Sequence, residues 1–316
     1  MRFAFFFVLL FAAEAFSQGF PNKPVKFVVP YPPGGGNDIM ARLIQPKLAE
    51  EWKQPVVVEN KPGAAGNLGA GEVARAPADG YTLLMATSTI AMTPGLGQKV
   101  SYDIQQDLVA VGMVSSTAMV IAVNPAVEAK SLQELIGLAR KEPGRLAYST
   151  CGNASPMHLA GELFKLTAHI DLVHVPYKGC APALADVLGG QLAIAFNTIS
   201  NTAAYERAGR IRILAVASGK RLAEFPNLPT AGEQGMSGYE ADIWFGLFAP
   251  SQTPRPVVAA VNAAVNRALA DAGVQQKMRS QYYEPRSMSA EEFGGFVESE
   301  IAKWGRTIRA ANIKAD

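Results

Sequence analysis

Three stretches of the 316-residue chain put glycines or small polar residues between an apolar, strand-like run and a helical pattern. Such junctions leave backbone amides able to meet an anion. The first is VVPYPPGGGNDIMARL, residues 28–43, in which Tyr31, Pro32 and Pro33 stiffen the exit from a strand and Gly34, Gly35 and Gly36 permit a tight turn into a helix. A nucleotide cradle is one reading of a strand, a glycine turn and an acidic Glu59 further on. Three details oppose it: the third glycine of that fingerprint falls on Ile39, Asp38 sets a negative charge where a pyrophosphate would sit, and the prolines are stiff. Two readings remain, a structural turn with Asp38 as helix cap and a small-ligand loop that includes Asn37.

The second stretch, YSTCGNASPMHLAGELF (148–164), ends a strand and opens a helix with Ser155 as N-cap and Pro156 at the first helical position. Thr150, Asn153 and Ser155 supply polar donors, and no acidic residue stands between Glu142 and Glu162. It is therefore expected to be the better anion receptor of the two, against the plainer reading of an ordinary capped helix. His158, one turn in, reads first as a hydrogen-bonded structural histidine. The third stretch, HVPYKGCAPALADVLGGQ (174–191), offers Tyr177 and Lys178 at a strand's C-terminal end, where Lys178 could pair with an acid or simply be solvated.

Enzymatic chemistry has little to stand on. There is no GxSxG elbow and no HExxH, and ASGKR at 217–221 lacks Walker spacing. His158, His169 and His174 are the only histidines, and nothing positions a Ser/His/Asp triad around them. A hydrolase or lyase working in the same cleft is kept as the alternative; no metal and no cofactor are called for.

The elements that would position these loops alternate. VKFVV (25–29), a helix from about Asp38, VVVE (56–59), a helix near 68–76 and YTLLMA (81–86) read as βαβαβ, a largely parallel sheet under helices. Met40, Ile44, Leu48 and Trp52 form one stripe of the first helix. A second series starts near DLVAVGMV (107–114) and MVIAVN, and continues through a helix opened by a Ser131/Glu134 capping box. Near Trp244 the strand IWFGLFAP returns, followed by helices bearing Val257, Val261, Val265 and Leu269, then Phe293, Val297, Ile301, Trp304 and Ile308, on single faces. The fold class is thus α/β in two lobes, residues 18–121 plus 243–316 and residues 122–242. The two crossings act as a hinge, with a ligand cleft between the lobes.

The N-terminal MRFAFFFVLLFAAEAFSQ has the cation, short apolar run and small residues of an export signal, residues 1–17, cleaved before Gln18. A net charge of +2 from 29 basic and 27 acidic residues, without basic blocks, gives no field for nucleic acid or anionic membrane. With 49% hydrophobic residues the mature chain can bury its cores and fold without staples, and it is expected to be a monomer. In an exported chain Cys151 and Cys180 read as a disulfide, with two buried thiols as the alternative.

Taken together, PYPPGGGNDIMAR, VVVENKPGAAGNLGA, ADGYTLL, HLAGELFK, VPYKG, PALADVLGGQ, LPTAGEQG and WFGLFAP closely resemble the Bug, or tripartite tricarboxylate receptor, family of extracytoplasmic solute-binding proteins. The resemblance implies a type II periplasmic-binding-protein fold that closes on a small carboxylate. It also implies delivery to inner-membrane transporter subunits or, in some members, a sensing role. It assigns ligand contacts to Tyr31–Asp38, partly through water, and to Thr150, Gly152, Asn153, Ala154 and Ser155. Ser88, His158, Tyr177, Lys178, Gly179 and Asn197 complete the implied site. The family often carries threonine where this chain has Asn37 and aspartate where it has Asn197; the missing carboxylate at 197 favours an acidic or neutral ligand over a cationic one. It also strengthens the Cys151–Cys180 pairing.

Overall fold

The structure is a computed structural model that describes residues 19–314; the expected export signal, residues 1–17, lies outside the described residues. The chain opens with β1 (Val25–Val29), α1 (Gly36–Trp52), β2 (Val56–Asn60), α2 (Asn67–Ala74) and β3 (Thr82–Thr87), then two one-turn helices, α3 (Thr89–Met92) and α4 (Ile104–Asp107), and β4 (Leu108–Thr117). It continues through β5 (Met119–Val123), α5 (Leu132–Lys141), β6 (Ala147–Thr150), α6 (Pro156–Ala168), β7 (Val173–Pro176), α7 (Cys180–Leu188), β8 (Ile194–Thr198), α8 (Ile199–Arg207) and β9 (Arg212–Val216). The last part is β10 (Ile243–Pro250), α9 (Arg255–Ala270), α10 (Ala272–Arg279), β11 (Glu284–Pro285) and α11 (Ala290–Ala310).

Two sheets result, ordered β11-β4-β10-β3-β1-β2 and β7-β6-β8-β5-β9. β1 to β4 point one way, with β10 and β11 against them. In the second sheet β6 to β9 point one way and β5 opposes them. Strands that share a direction need crossover helices, which is why apolar β-branched runs alternate with helices in the sequence.

β4 joins the first sheet rather than opening the second, because its partner is the returning strand β10 along nearly its whole length. The first sheet's strand ends at Thr117 and the second's begins at Met119. The change of sheet therefore falls at Ala118, a little before the expected boundary at 121.

The helices bury the faces their spacing predicts. Met40, Ile44 and Leu48 of α1 are fully buried, and Trp52 packs edge-on against Phe20. In α9 the buried row is Val258, Val261, Val265 and Leu269, one residue on from the expected start at Val257. Phe293, Val297, Trp304 and Ile308 anchor α11, whose N-terminus is closed by a full capping box of Ser289 and Glu292. At α5 the expected box is only half formed: Ser131 caps Glu134 N, while the Glu134 carboxylate takes the amide of Lys130 instead.

Candidate functional site

Strand register decides which loops face one another. Phe245 pairs with Thr87 and Ile243 with Thr117, so β10 enters the first sheet at the end where β3 and β4 leave it. Met119 pairs with Thr198 and Val120 with Val216, so β5 enters the second sheet where β8 and β9 leave it. Both crossings thus join the C-terminal ends of the co-directional strands. The loops after β1 and β3 lie across a cleft from those after β6, β7 and β8.

At the crossing itself the segments are stitched together. Ala217 N donates to Met119 O at 2.8 Å and Ala241 N to Ala217 O at 2.9 Å. Ser218 Oγ donates to Asp242 Oδ1 at 2.5 Å.

On the first-sheet side, the loop from Tyr31 leads into α1, which starts at Gly36 with Gly35 as N-cap and no side-chain cap. Its first amides are open. Asp38 is not the cap: from the third helical position its carboxylate reaches back to Gly34 N at 3.0 Å. It also accepts from Arg42 Nε at 2.9 Å and Asn60 Nδ2 at 3.0 Å. Burial alone would raise the Asp38 carboxyl, but these hydrogen bonds and the Arg42 charge hold it below its usual range. Its negative charge, expected to repel an anion, is therefore largely neutralised.

Gly34 adopts φ +84°, which favours glycine. Gly36 is required by packing, since a Cβ there would lie 2.7 Å from Phe245 Cζ and 3.2 Å from Tyr283 Oη. Asn37 is buried and donates to Met85 O at 2.7 Å, which ties α1 to β3. Tyr31 bonds Ala65 O at 3.0 Å. Ser88, fully buried after β3, keeps a hydroxyl with no hydrogen-bond partner among the described residues. The same holds for Thr117 Oγ1 at the end of β4.

On the second-sheet side, α6 is the well-capped helix. Ser155 Oγ accepts from His158 N at 3.3 Å, Ala154 N donates to His158 Nδ1 at 3.0 Å, and Ser155 N donates to Gly152 O at 3.3 Å. The amides of Ala154, Ser155 and His158 are thus engaged within the loop, whereas the start of α1 has no side-chain cap. Gly152 N still meets no acceptor among the described residues.

Asn153 donates to Lys314 O at 3.0 Å, and Lys178 is exposed. Tyr177 donates its hydroxyl to Asp186, and Asn197 accepts from Thr198 N and Asn201 Nδ2. Cys151 and Cys180 form a disulfide that joins the β6–α6 and β7–α7 loops, next to the bond from Gly179 N to Cys151 O at 3.1 Å.

A buried polar cluster backs this loop. His158 stacks on His174 with ring centroids 3.7 Å apart, and His174 Nε2 shares a 2.7 Å hydrogen bond with Thr150 Oγ1. Glu162 accepts from Tyr148 at 2.6 Å and Lys165 at 3.0 Å. Burial, with the neighbouring His158, pushes the His174 pKa down to about 4, so its ring stays neutral. Because His158 Nδ1 accepts from Ala154, that nitrogen carries no proton and the ring is a structural pin, as its position in a capped helix suggested.

Residues 40–313 match the family described as the tripartite tricarboxylate transporter family receptor. The chain belongs to this receptor family. It is 34% identical to protein BugT of Bordetella pertussis over 96% of this chain and 94% of that protein. Among solved structures, R. palustris Rpa4515 with adipate is 35% identical with a TM-score of 0.79, covering 94% of this chain and 99% of that one. MatC from Rhodopseudomonas palustris with bound malate is 30% identical with a TM-score of 0.75, covering 92% and 100%.

The fold of this receptor is accordingly the two-lobed α/β fold of periplasmic binding proteins. Three residues here are not singled out as site residues from the sequence: Phe245 and Tyr283 beside Gly36, and Arg286, whose Nε donates to Ser116 Oγ at 3.1 Å. Phe245 arrives on β10 and Tyr283 and Arg286 flank β11, far along the chain, and only the strand order brings the first two to α1 and Arg286 to β4.

Proposed function

We propose that this receptor is exported to the periplasm, captures a small organic acid between its lobes by hinge closure, and delivers it to the membrane subunits of a tripartite transporter. The observation that carries the reading is the uncapped start of α1 at Gly36, which opens onto the cleft beside a carboxylate already neutralised by Arg42. A ligand carboxylate supplies the acceptor that those amides lack. The second lobe closes on it with Thr150–Ser155 and the loop of Tyr177, Lys178 and Gly179. The hinge is assigned to Ala118 and to the paired segments at Ala217–Ser218 and Ala241–Asp242. The first lobe then comprises the residues before Ala118 and after Asp242.

Relatives solved with adipate and malate support an acidic ligand, the family description supports the transporter partner, and the signal-like residues 1–17 support export. Native mass spectrometry of whatever co-purifies, followed by a thermal-shift screen of mono-, di- and tricarboxylates, amino acids and nicotinate, tests the reading. At a hundred times its dissociation constant the correct acid stabilises the fold by about 2.7 kcal/mol. A screen in which no acid raises the melting temperature overturns the proposal. So does turnover of an acid that is lost in His158→Ala, which would make the protein a hydrolase or lyase.

A further inference from the structure

A cavity of about 110 Å³ beside the crossing segments is walled by Ser116, Ile199, Ser218, Asp242, Tyr283 and Arg286. Tyr283 connects it to the first-lobe site, because its hydroxyl lies 3.2 Å from where a side chain at Gly36 would begin. The cavity thus lies on the far side of Tyr283 from the N-terminus of α1.

Arg286 is anchored at one end only. Its backbone N donates to Val114 O at 3.1 Å and its Nε to Ser116 Oγ at 3.1 Å, while its two terminal nitrogens meet no acceptor among the described residues. Asp242 is likewise half engaged: Oδ1 takes the Ser218 hydroxyl at 2.5 Å, and Oδ2 has no donor among the described residues. Opposite charges share the cavity wall and form no ion pair with each other. Of the other charged residues on the wall, Arg221 is paired with Glu233 at 2.9 Å and Glu284 with Arg279 at 3.5 Å, while Lys220 and Glu224 are exposed at the rim and form no ion pair among the described residues. A guanidinium with a free edge suits a carboxylate, and a free carboxylate oxygen suits a hydroxyl or ammonium donor.

We propose that Arg286 and Asp242 are the specificity-determining residues at the far end of the ligand site. Arg286 receives a second carboxylate, and Asp242 receives a hydroxyl or amino substituent beside it. Resting on the receptor reading above, this narrows the ligand to a short dicarboxylate bearing a hydrogen-bond donor. A monocarboxylate would leave Arg286 unanswered.

Isothermal titration of the purified protein with succinate, malate, aspartate and butyrate, repeated for Arg286→Gln, Arg286→Lys and Asp242→Asn, tests it. Arg286→Gln is expected to weaken succinate and malate about tenfold or more, the worth of a charge-assisted hydrogen bond, with little effect on butyrate. Arg286→Lys recovers part of the loss. Asp242→Asn removes the preference for malate and aspartate over succinate. A purely structural Arg286 would instead weaken all four ligands alike, with a lowered melting temperature, and that result overturns the inference. So does an unchanged malate-to-succinate ratio in Asp242→Asn. Wild-type protein that binds butyrate as tightly as succinate refutes this inference alone, whereas wild-type protein that binds no acid refutes the receptor reading along with it.

Discussion

Removing the disulfide as the double variant Cys151→Ser/Cys180→Ser separates what the bridge does for folding from what it does for the cleft. The bridged residues are 29 apart in sequence. Restricting the unfolded chain by a loop of that length is worth about 3.6 kcal/mol at 25 °C in the chain-entropy account. In the folded state the two loops are also held by backbone bonds, Tyr177 N to Thr150 O and Gly179 N to Cys151 O, both 3.1 Å. The native geometry of the loops therefore persists without the sulfurs. Most of the loss is expected in stability, and only a modest part in ligand affinity. Urea unfolding followed by far-UV circular dichroism measures the first, and titration with the acid identified by screening measures the second. The three tryptophans are poor reporters here because Trp52, Trp244 and Trp304 all belong to the first lobe. Because lobes can unfold separately, the destabilisation should appear in the transition of the second lobe. A stability difference below about 1 kcal/mol, well short of the loop-entropy value, would refute the reasoning.

Gly36→Ala should cost about 1–3 kcal/mol through overpacking against Phe245 and Tyr283 and weaken acid binding at the same time; thermal denaturation and titration check both. The pH dependence of stability should contain two opposed contributions. His174 has its pKa lowered to about 4, so as pH falls from 6.5 towards 4 the unfolded chain takes up a proton that the native ring does not, and stability drops by at most roughly 3 kcal/mol. Burial pushes the Asp242 carboxyl up to about 6, against the pull of the Ser218 hydrogen bond and the Arg286 charge. Between pH 6 and 4 the native state therefore takes up the extra proton and gains a similar roughly 3 kcal/mol at most. Urea midpoints from pH 7 to 4.5 should fall more steeply with acid in Asp242→Asn than in wild type and less steeply in His174→Gln; identical slopes would contradict both assignments.

Much of the fold was legible because each element carries its own period. The strands VKFVV and IWFGLFAP and the four-residue stripes of α1 and α11 depend on local patterning, which tertiary context here reinforces. β4 was harder: DLVAVGMV looks the same whichever sheet takes it, and only pairing with β10 decides. The same distinction runs through the site. Loops at strand ends show themselves by glycine and N-cap residues, so residues 31–38 and 150–155 could be singled out. Whether their amides are free could not be, because that depends on where side chains such as His158 and Asp38 turn back. Tyr283 and Arg286 sit in a stretch, YYEPRS, with no chemical signature, and reach the cleft through a two-residue edge strand.

The bare first turn of α1 also affects the protein when it is empty. A side-chain cap is typically worth about 1 kcal/mol, and α5 and α11 have theirs from Ser131 and Ser289. α1 has the glycine Gly35 at that position and no side-chain bond to its first amides. On the proposed binding mode the acid completes a piece of secondary structure that the chain leaves unfinished. The filled receptor then differs from the empty one in the hydrogen bonding of that first turn as well as in shape, giving a membrane partner two properties by which to distinguish them.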